Sequence, residues 1–296
     1  MQRGYTGRLA PSPTGLLHLG HAATFWQAFQ RARQAGGTLL FRNEDLDPHR
    51  SRPEFVEAMV EDLAWLGIRW QGEMVQQSQR LAVYREALDR LLAAGLAYPC
   101  TCSRRDLARI AQAPHESGGP NAPGHEPDDE PLYDGRCRSA SAVSSRFDPG
   151  VNYRLRVPDG EAICFLDGNL GPQSFMAGCA PSAAPQGMVG DFLIWRRAMP
   201  NDPPGGQPSY QLACVVDDAA MGITEVVRGA DLLKSTARQI LLQHALQMPT
   251  PAYFHTQLLR DEHGARLAKR HDALALRTLR QQGRTPQQVL AMAGLG

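Results

Sequence analysis

The stretch Arg8-Leu9-Ala10-Pro11-Ser12-Pro13-Thr14-Gly15, followed by His18-Leu19-Gly20-His21, decides the fold. Gly4 to Ala10 reads as a short strand, and Pro11, Pro13 and Gly15 then force a turn. Leu19 to Ala35 suits a helix that Gly36-Gly37 ends, and Thr38 to Phe41 is a second apolar strand. Strand, helix, strand with short links is the βαβ unit of a parallel, nucleotide-binding sheet. His18 and His21 are three apart, so both face one side of the first helical turn. That turn also offers free backbone N–H groups and the positive end of the helix dipole, which favour phosphate. Gly20 has no side chain, so a flat ring can approach the backbone there.

The rest of the chain bounds this reading. Its 296 residues allow two domains of ordinary size. With 43% hydrophobic and 21% charged residues, it is not a mainly disordered chain. No apolar run reaches the ~18 residues of a membrane span. Met1 to Pro11 lacks a signal-peptide core, which places the chain in the cytoplasm. A net charge of +1 excludes a globally basic nucleic-acid binder. Charge is nevertheless uneven. Residues 115–134 carry six acids and no Lys or Arg, whereas residues 228–284 carry ten basic and four acidic residues, a local +6. The second stretch reads either as solvated surface or as a phosphate-facing region.

Ser51-Arg52-Pro53-Glu54 has the capping-box pattern, with Phe55, Met59, Leu63 and Leu66 at helical spacing behind it and Gly67 closing the helix. Residues 111–150, rich in Pro, Gly, Ser and acids, read as an insert with little regular structure. Val151–Val157 and Glu161–Leu166 flank Pro158-Asp159-Gly160, a hairpin signature. Asp191–Trp195 and Gln211–Val216 read as strands returning to a core sheet, joined through a loop at Asp202–Gln207. From Asp231 onward the pattern is helical. Cys164, Cys179 and Cys214 read as small buried hydrophobes. Cys100, Cys102 and Cys137 form a candidate metal site; structural zinc wants four ligands, and His115 or His125 are the ordinary fourth donors.

Further motifs follow in order. Arg266-Leu267-Ala268-Lys269-Arg270 is a basic pentamer in a chain with only two lysines, Lys234 and Lys269. Arg42-Asn43-Glu44-Asp45-Leu46-Asp47 follows the second strand. Tyr210-Gln211-Leu212-Ala213 and Val215-Val216-Asp217-Asp218 begin and end a later one. Glu225-Val226-Val227-Arg228-Gly229-Ala230-Asp231 leads into a helix. Together these resemble the glutamyl branch of the class I aminoacyl-tRNA synthetases: the opening motif is similar to its HIGH signature, the pentamer to its KMSKS loop.

The resemblance implies glutamate activation by ATP with Mg²⁺. His18, Gly20, His21, Lys269 and Arg270 would bind ATP, with His18, His21 and Lys269 catalytic. Arg8, Ala10, Ser12, Glu44, Tyr210 and Arg228 would bind L-glutamate: Arg8 and Arg228 its carboxylates, Glu44 its α-amino group, Tyr210 through its hydroxyl. Arg266 and Ala268 depart from the usual Lys and Ser of the loop. For the zinc, the resemblance points to Tyr133 beside Cys100, Cys102 and Cys137. A reduced, metal-free set is the alternative.

The implied fold is α/β: a Rossmann-like parallel sheet with an inserted zinc-bearing, acceptor-type subdomain and a short helical C-terminus. Its implied divisions are 1–97 and 191–250 for the two halves of the catalytic domain, 98–190 for the insert, and 251–296 for the KMSKS-type loop and terminal helices. Only 26 residues follow Arg270, too few for an anticodon-binding domain. Within the branch this implies a monomeric enzyme that passes glutamate to the queuosine base in the anticodon stem-loop of tRNA(Asp). The rival readings are a truncated glutamyl-tRNA synthetase charging the 3′ end of tRNA(Glu), and a non-catalytic RNA-binding paralogue.

Overall fold

A computed structural model describes residues 4–102, 132–140, 147–179, 187–198, 202, 204–259 and 275–295. In chain order the first elements are β1 (Thr6–Leu9), α1 (Leu19–Gln34), β2 (Thr38–Asn43), α2 (Pro53–Trp65), β3 (Val75–Gln76), α3 (Leu81–Ala93) and β4 (Ala97–Cys100). Then come α4 (Arg136–Ala140), β5 (Asn152–Leu155), β6 (Ala162–Asp167), β7 (Gly171–Ala177), β8 (Met188–Val189), β9 (Leu193–Arg196) and β10 (Gln207–Pro208). The last are α5 (Tyr210–Ala220), β11 (Glu225–Gly229), α6 (Leu233–Leu246), β12 (Ala252–Thr256), α7 (Leu276–Gln281) and α8 (Pro286–Met292).

β1, β2 and β3 run parallel, with Arg8 opposite Leu40. On the other side of β1, Thr224 N–H donates to Thr6 O at 2.8 Å and stitches β1 to the entry of β11. β11 runs parallel to β12, and β12 meets β6. The strand order reverses between β1 and β11. In open parallel sheets the ligand crevice lies at that reversal, beyond the carboxyl ends of the strands. Arg8 and Arg228, near the ends of β1 and β11, therefore flank it. A separate antiparallel sheet runs β10-β9-β5-β4.

α1 lays Leu19, Ala22, Phe25, Ala28 and Ala32 on the sheet at three- and four-residue spacing. Leu9, Phe41, Leu63, Leu276 and Val289 share that cluster, so the C-terminal helices pack on the first half of the sheet. A second core joins α3, α5 and α6 to the antiparallel sheet through Leu88, Leu155, Ile194, Leu212 and Ile240. No helix among the described residues is long and apolar enough to cross a membrane.

Several local expectations are corrected. Gln211–Val216 is not a strand but the core of α5, where Ser209 caps the helix by accepting from Leu212 N. Its residues are buried on nearly every face, and such a helix has the unbroken apolar run of a central strand. Pro158-Asp159-Gly160 joins strands of two different sheets, so there is no hairpin there; the real hairpin is β6–β7. Its turn is held by Asp167, whose Oδ1 accepts the N–H groups of Asn169 and Leu170.

The capping box at Ser51 does not form. Pro53 takes the first helical position, which it prefers, and shifts the cap to Arg52. The helical pattern after Asp231 ends at Leu246, and β12 follows. Gln247 turns left-handed (φ 55°) and Pro249 and Pro251 cannot continue a helix. Cys164 is exposed and Cys179 half-buried; Cys214 is buried, but beside charged groups. Within the 111–150 stretch, the described residues include the short helix α4.

Candidate active site

The crevice floor is a charged network on β1, β2 and α5. Arg42 is completely buried (0% exposed) and donates to Asp218 Oδ1 and, at 2.9 Å, to Glu44 Oε1. Arg8 donates to Val227 O (3.2 Å), and its Nε lies 3.5 Å from Asp218 with no hydrogen-bond partner among the described residues. Burial opposes charge on Asp218, but Arg42 and Arg8 hold its carboxyl below the ordinary range. Asp217 anchors the network from behind by accepting from Gln77, Arg80 and Tyr84. Glu44 also accepts from Cys214 Sγ at 3.4 Å, and its backbone N–H is tied to Pro11 O. All these contacts use Oε1, so Oε2 has no hydrogen-bond partner among the described residues.

Across the crevice, Arg228 is also buried, but its hydrogen-bond partners are neutral. Nη1 donates to Gln239 Oε1 (2.9 Å) and Tyr210 Oη (3.5 Å), Nη2 to Thr236 Oγ1 (2.6 Å), and Nε to His255 Nε2 (3.4 Å). Among the described residues no carboxylate lies within ion-pair distance of it. Burial pushes the Tyr210 hydroxyl well above an ordinary phenol, with Cys214 and Glu44 adding and Arg228 and Arg8 opposing. Those five side chains thus share one electrostatic environment. Ala10 and the exposed Ser12 lie in the turn that leaves β1.

The phosphate-favouring turn also forms. His18 is the N-cap of α1: its Nδ1 accepts from Gly20 N (3.1 Å), while His21 Nδ1 accepts from His18 N (3.2 Å). Both rings therefore carry their proton on Nε2 when neutral, as donors. The rings stack at 3.8 Å. A side chain at Gly20 would meet the His18 ring at 3.1 Å. Lys269 and Arg270 lie outside the described residues.

Cys100, Cys102 and Cys137 converge, their sulfurs all within 4.8 Å of one another. Tyr133 is buried against them, its Oη 3.6 Å from Cys100 Sγ and 3.5 Å from Cys102 Sγ. Arg154 donates to Cys100 Sγ (3.4 Å) and lies over the Tyr133 ring (4.0 Å). Burial pushes the Cys102 thiol up to about 11. Burial works the same way on Cys137, but hydrogen bonds from Tyr133, the Thr101 backbone and the neighbouring thiols overcome it and bring that thiol down to about 7. His115 and His125 lie outside the described residues.

Sequence reasoning named Arg8, Glu44, Tyr210 and Arg228, and the structure brings them together. It gave no role to Arg42, Asp218, Asp167, Thr236, Gln239 or His255. A fully buried Arg beside an Asp-Asp pair has no local sequence signature, since its partners come from distant elements.

An α/β sheet with charged side chains at the reversal point, and a histidine pair capping the helix after β1, defines a nucleotide-activating ligase architecture. The chain belongs to the class I tRNA synthetases (E and Q): the model of their catalytic domain matches residues 6–295. A glutamyl-Q tRNA(Asp) synthetase of Symbiobacterium thermophilum is 44% identical over 296 residues, covering 96% of this chain and 84% of that protein. One from Rhodobacter capsulatus is 40% identical, covering 97% and 99%. The glutamate tRNA ligase of Elizabethkingia meningosepticum, solved in complex with its amino acid, superposes with a TM-score of 0.71 at 26% identity over 90% of this chain. The chain spans about half the length of that solved ligase (52%).

Proposed function

We propose that the chain activates L-glutamate with ATP-Mg²⁺ and passes the glutamyl group to the queuosine base in the anticodon loop of tRNA(Asp). Arg228 carries the first half of this reading: a buried guanidinium held by neutral partners keeps its charge for a substrate carboxylate. Arg8, Ala10 and Ser12 would line the same crevice, Glu44 Oε2 would accept the α-amino group, and Tyr210 Oη would fix the substrate against Arg228. Held there, a glutamate carboxylate attacks the α-phosphate, its C–O–P bond forms, and pyrophosphate leaves. His18 and His21 donate to phosphate oxygens through Nε2–H, Gly20 keeps the turn open, and Lys269 with Arg270 meets the charge that moves to pyrophosphate. The acceptor half rests on the relatives, which are named for Q-tRNA(Asp). We read 1–97 and 191–250 as the catalytic halves, 98–190 as the acceptor-facing insert and 251–296 as the loop and terminal helices.

Zinc fits the cysteine cluster. A tetrahedral zinc with bonds of ~2.0–2.3 Å spans ligand edges of roughly 3.5–3.8 Å, and the S···O and Cys102–Cys137 S···S separations are 3.5–3.6 Å. Cys100, Cys102, Cys137 and Tyr133 would hold it, and it would clamp the insert without taking part in the chemistry.

The test is glutamate-dependent ATP–pyrophosphate exchange with and without RNA. Exchange without tRNA is expected. Strict dependence on added tRNA, or no exchange, contradicts the reading.

A further inference from the structure

Behind Arg228 lies a pair of residues that the activation chemistry above does not use. His255 on β12 is the register partner of Arg228 on β11, and its side chain is wholly buried (0% exposed). Its Nδ1 is 2.6 Å from Asp167 Oδ2, and its backbone N–H also points at that carboxylate (3.1 Å). Asp167 is itself fixed by the N–H groups of the β6–β7 turn. An ionised carboxylate only accepts, so the proton of the neutral imidazole must sit on Nδ1. Nε2 is then a bare acceptor, aimed at Arg228 Nε (3.4 Å) and Thr236 Oγ1 (2.9 Å).

We propose that Asp167 and His255 form a positioning pair: the carboxylate sets the tautomer of the imidazole, and the imidazole lone pair aims Arg228 without neutralising it. This rests on Arg228 being the receiver of a substrate carboxylate. A guanidinium has five N–H donors. Four of them go to His255, Gln239, Tyr210 and Thr236, which leaves one on Nη2 without a partner among the described residues, for a ligand. Had Asp167 contacted Arg228 directly, the two charges would have cancelled. The intervening ring keeps the acid one residue away and transmits only its orienting effect. Burial and then the Arg228 charge push His255 down to about 4, so the ring stays neutral at working pH. Asp167→Asn tests the tautomer logic. An amide can donate to Nδ1, which moves the ring proton to Nε2 and sets donor against donor at Arg228.

Two measurements decide it, both on the full metal-replete chain. Imidazole ¹⁵N–¹H correlation spectra at about pH 7.5 should show His255 protonated on Nδ1 alone. A proton on Nε2, or on both nitrogens, overturns the proposal. Pyrophosphate-exchange kinetics are then compared for Arg228→Ala, His255→Phe, His255→Gln and Asp167→Asn. His255→Phe and Asp167→Asn should raise the KM for glutamate about tenfold or more, as an unmet buried donor would. The KM for ATP should stay within about twofold, the signature of an effect confined to one subsite. His255→Gln restores an acceptor and should keep the glutamate KM within about threefold of wild type. If Arg228→Ala raises that KM but His255→Phe and Asp167→Asn do not, the pair has no positioning role while the carboxylate reading stands. If Arg228→Ala is silent, the carboxylate reading fails and takes the pair with it. Should a variant not fold, the wild-type tautomer still decides.

Discussion

Arg228 and Lys269 act at opposite ends of the proposed reaction, and their loss should look different in kinetics. Arg228 meets a carboxylate that is present before and during the reaction. Arg228→Ala should therefore act mainly on the glutamate KM, with a loss of ~2–5 kcal/mol for leaving a buried charge unpartnered. Lys269 would meet charge that moves to the leaving pyrophosphate. Lys269→Ala should therefore cut the exchange rate by ~10²–10³ with little change in the glutamate KM. A fall smaller than about tenfold would show that the pentamer at 266–270 is not the phosphate-handling loop. Asp62 follows a different rule. It is buried in α2, neither carboxylate oxygen has a hydrogen bond among the described residues, and burial raises its pKa to about 6 against the partial offset of Arg280 and Arg277. A carboxyl with a raised folded-state pKa stabilises most when protonated and loses that contribution as pH rises through 6. Asp62→Asn should therefore raise Tm by a few degrees at about pH 7.5, on the order of 1–2 kcal/mol, with the gain fading towards about pH 4. A melting-temperature series over that range checks the sign; a gain that grows on acidification contradicts it.

Which elements were legible follows from how local their determinants are. β1, α1 and β2 are read correctly because prolines, glycines and a three-four apolar spacing lie within the segment itself. α5 is misread because its apolar face is continuous: it is packed on all sides by α3, α6 and the antiparallel sheet, and periodicity disappears when every face is buried. The β5–β6 link is misread for a related reason. Pro158-Asp159-Gly160 does make a turn, with Gly160 left-handed (φ 78°), but a turn signal says nothing about whether the flanking strands pair. The same holds at the site. Arg8, Glu44, Tyr210 and Arg228 follow from ordered motifs, whereas Asp167 and His255 lie 88 positions apart and meet where β12 pairs with β6.

Over the whole molecule, β6 pairs with β12 next to the crevice, whereas Cys100 ends β4 in the separate antiparallel sheet, which shares its core with α5 and α6. One zinc per chain is expected by elemental analysis of protein purified without a His-tag. Tyr133→Phe should weaken its retention against a chelator about tenfold or more if the phenolate is a ligand; unchanged retention would give the fourth place to a histidine, and absence of metal from wild type would reject the site. Arg228 and Arg238 of the basic stretch 228–284 are buried, so the remaining Lys and Arg residues there would supply the phosphate contacts, and RNA binding should weaken with salt. The anticodon loop suits such a surface because its bases are splayed and accessible, and queuosine bears a cis-diol chemically like that of a tRNA 3′ end. The identity of the acceptor decides between the two ligase readings. The direct measurement supplies [¹⁴C]glutamate, ATP and tRNA(Asp) with or without queuosine, beside tRNA(Glu), and locates the label by nuclease digestion and mass analysis. Label is expected on the queuosine nucleoside of tRNA(Asp), with none when queuosine is missing. Label on the 3′-terminal adenosine of tRNA(Glu), with none on queuosine, would contradict it.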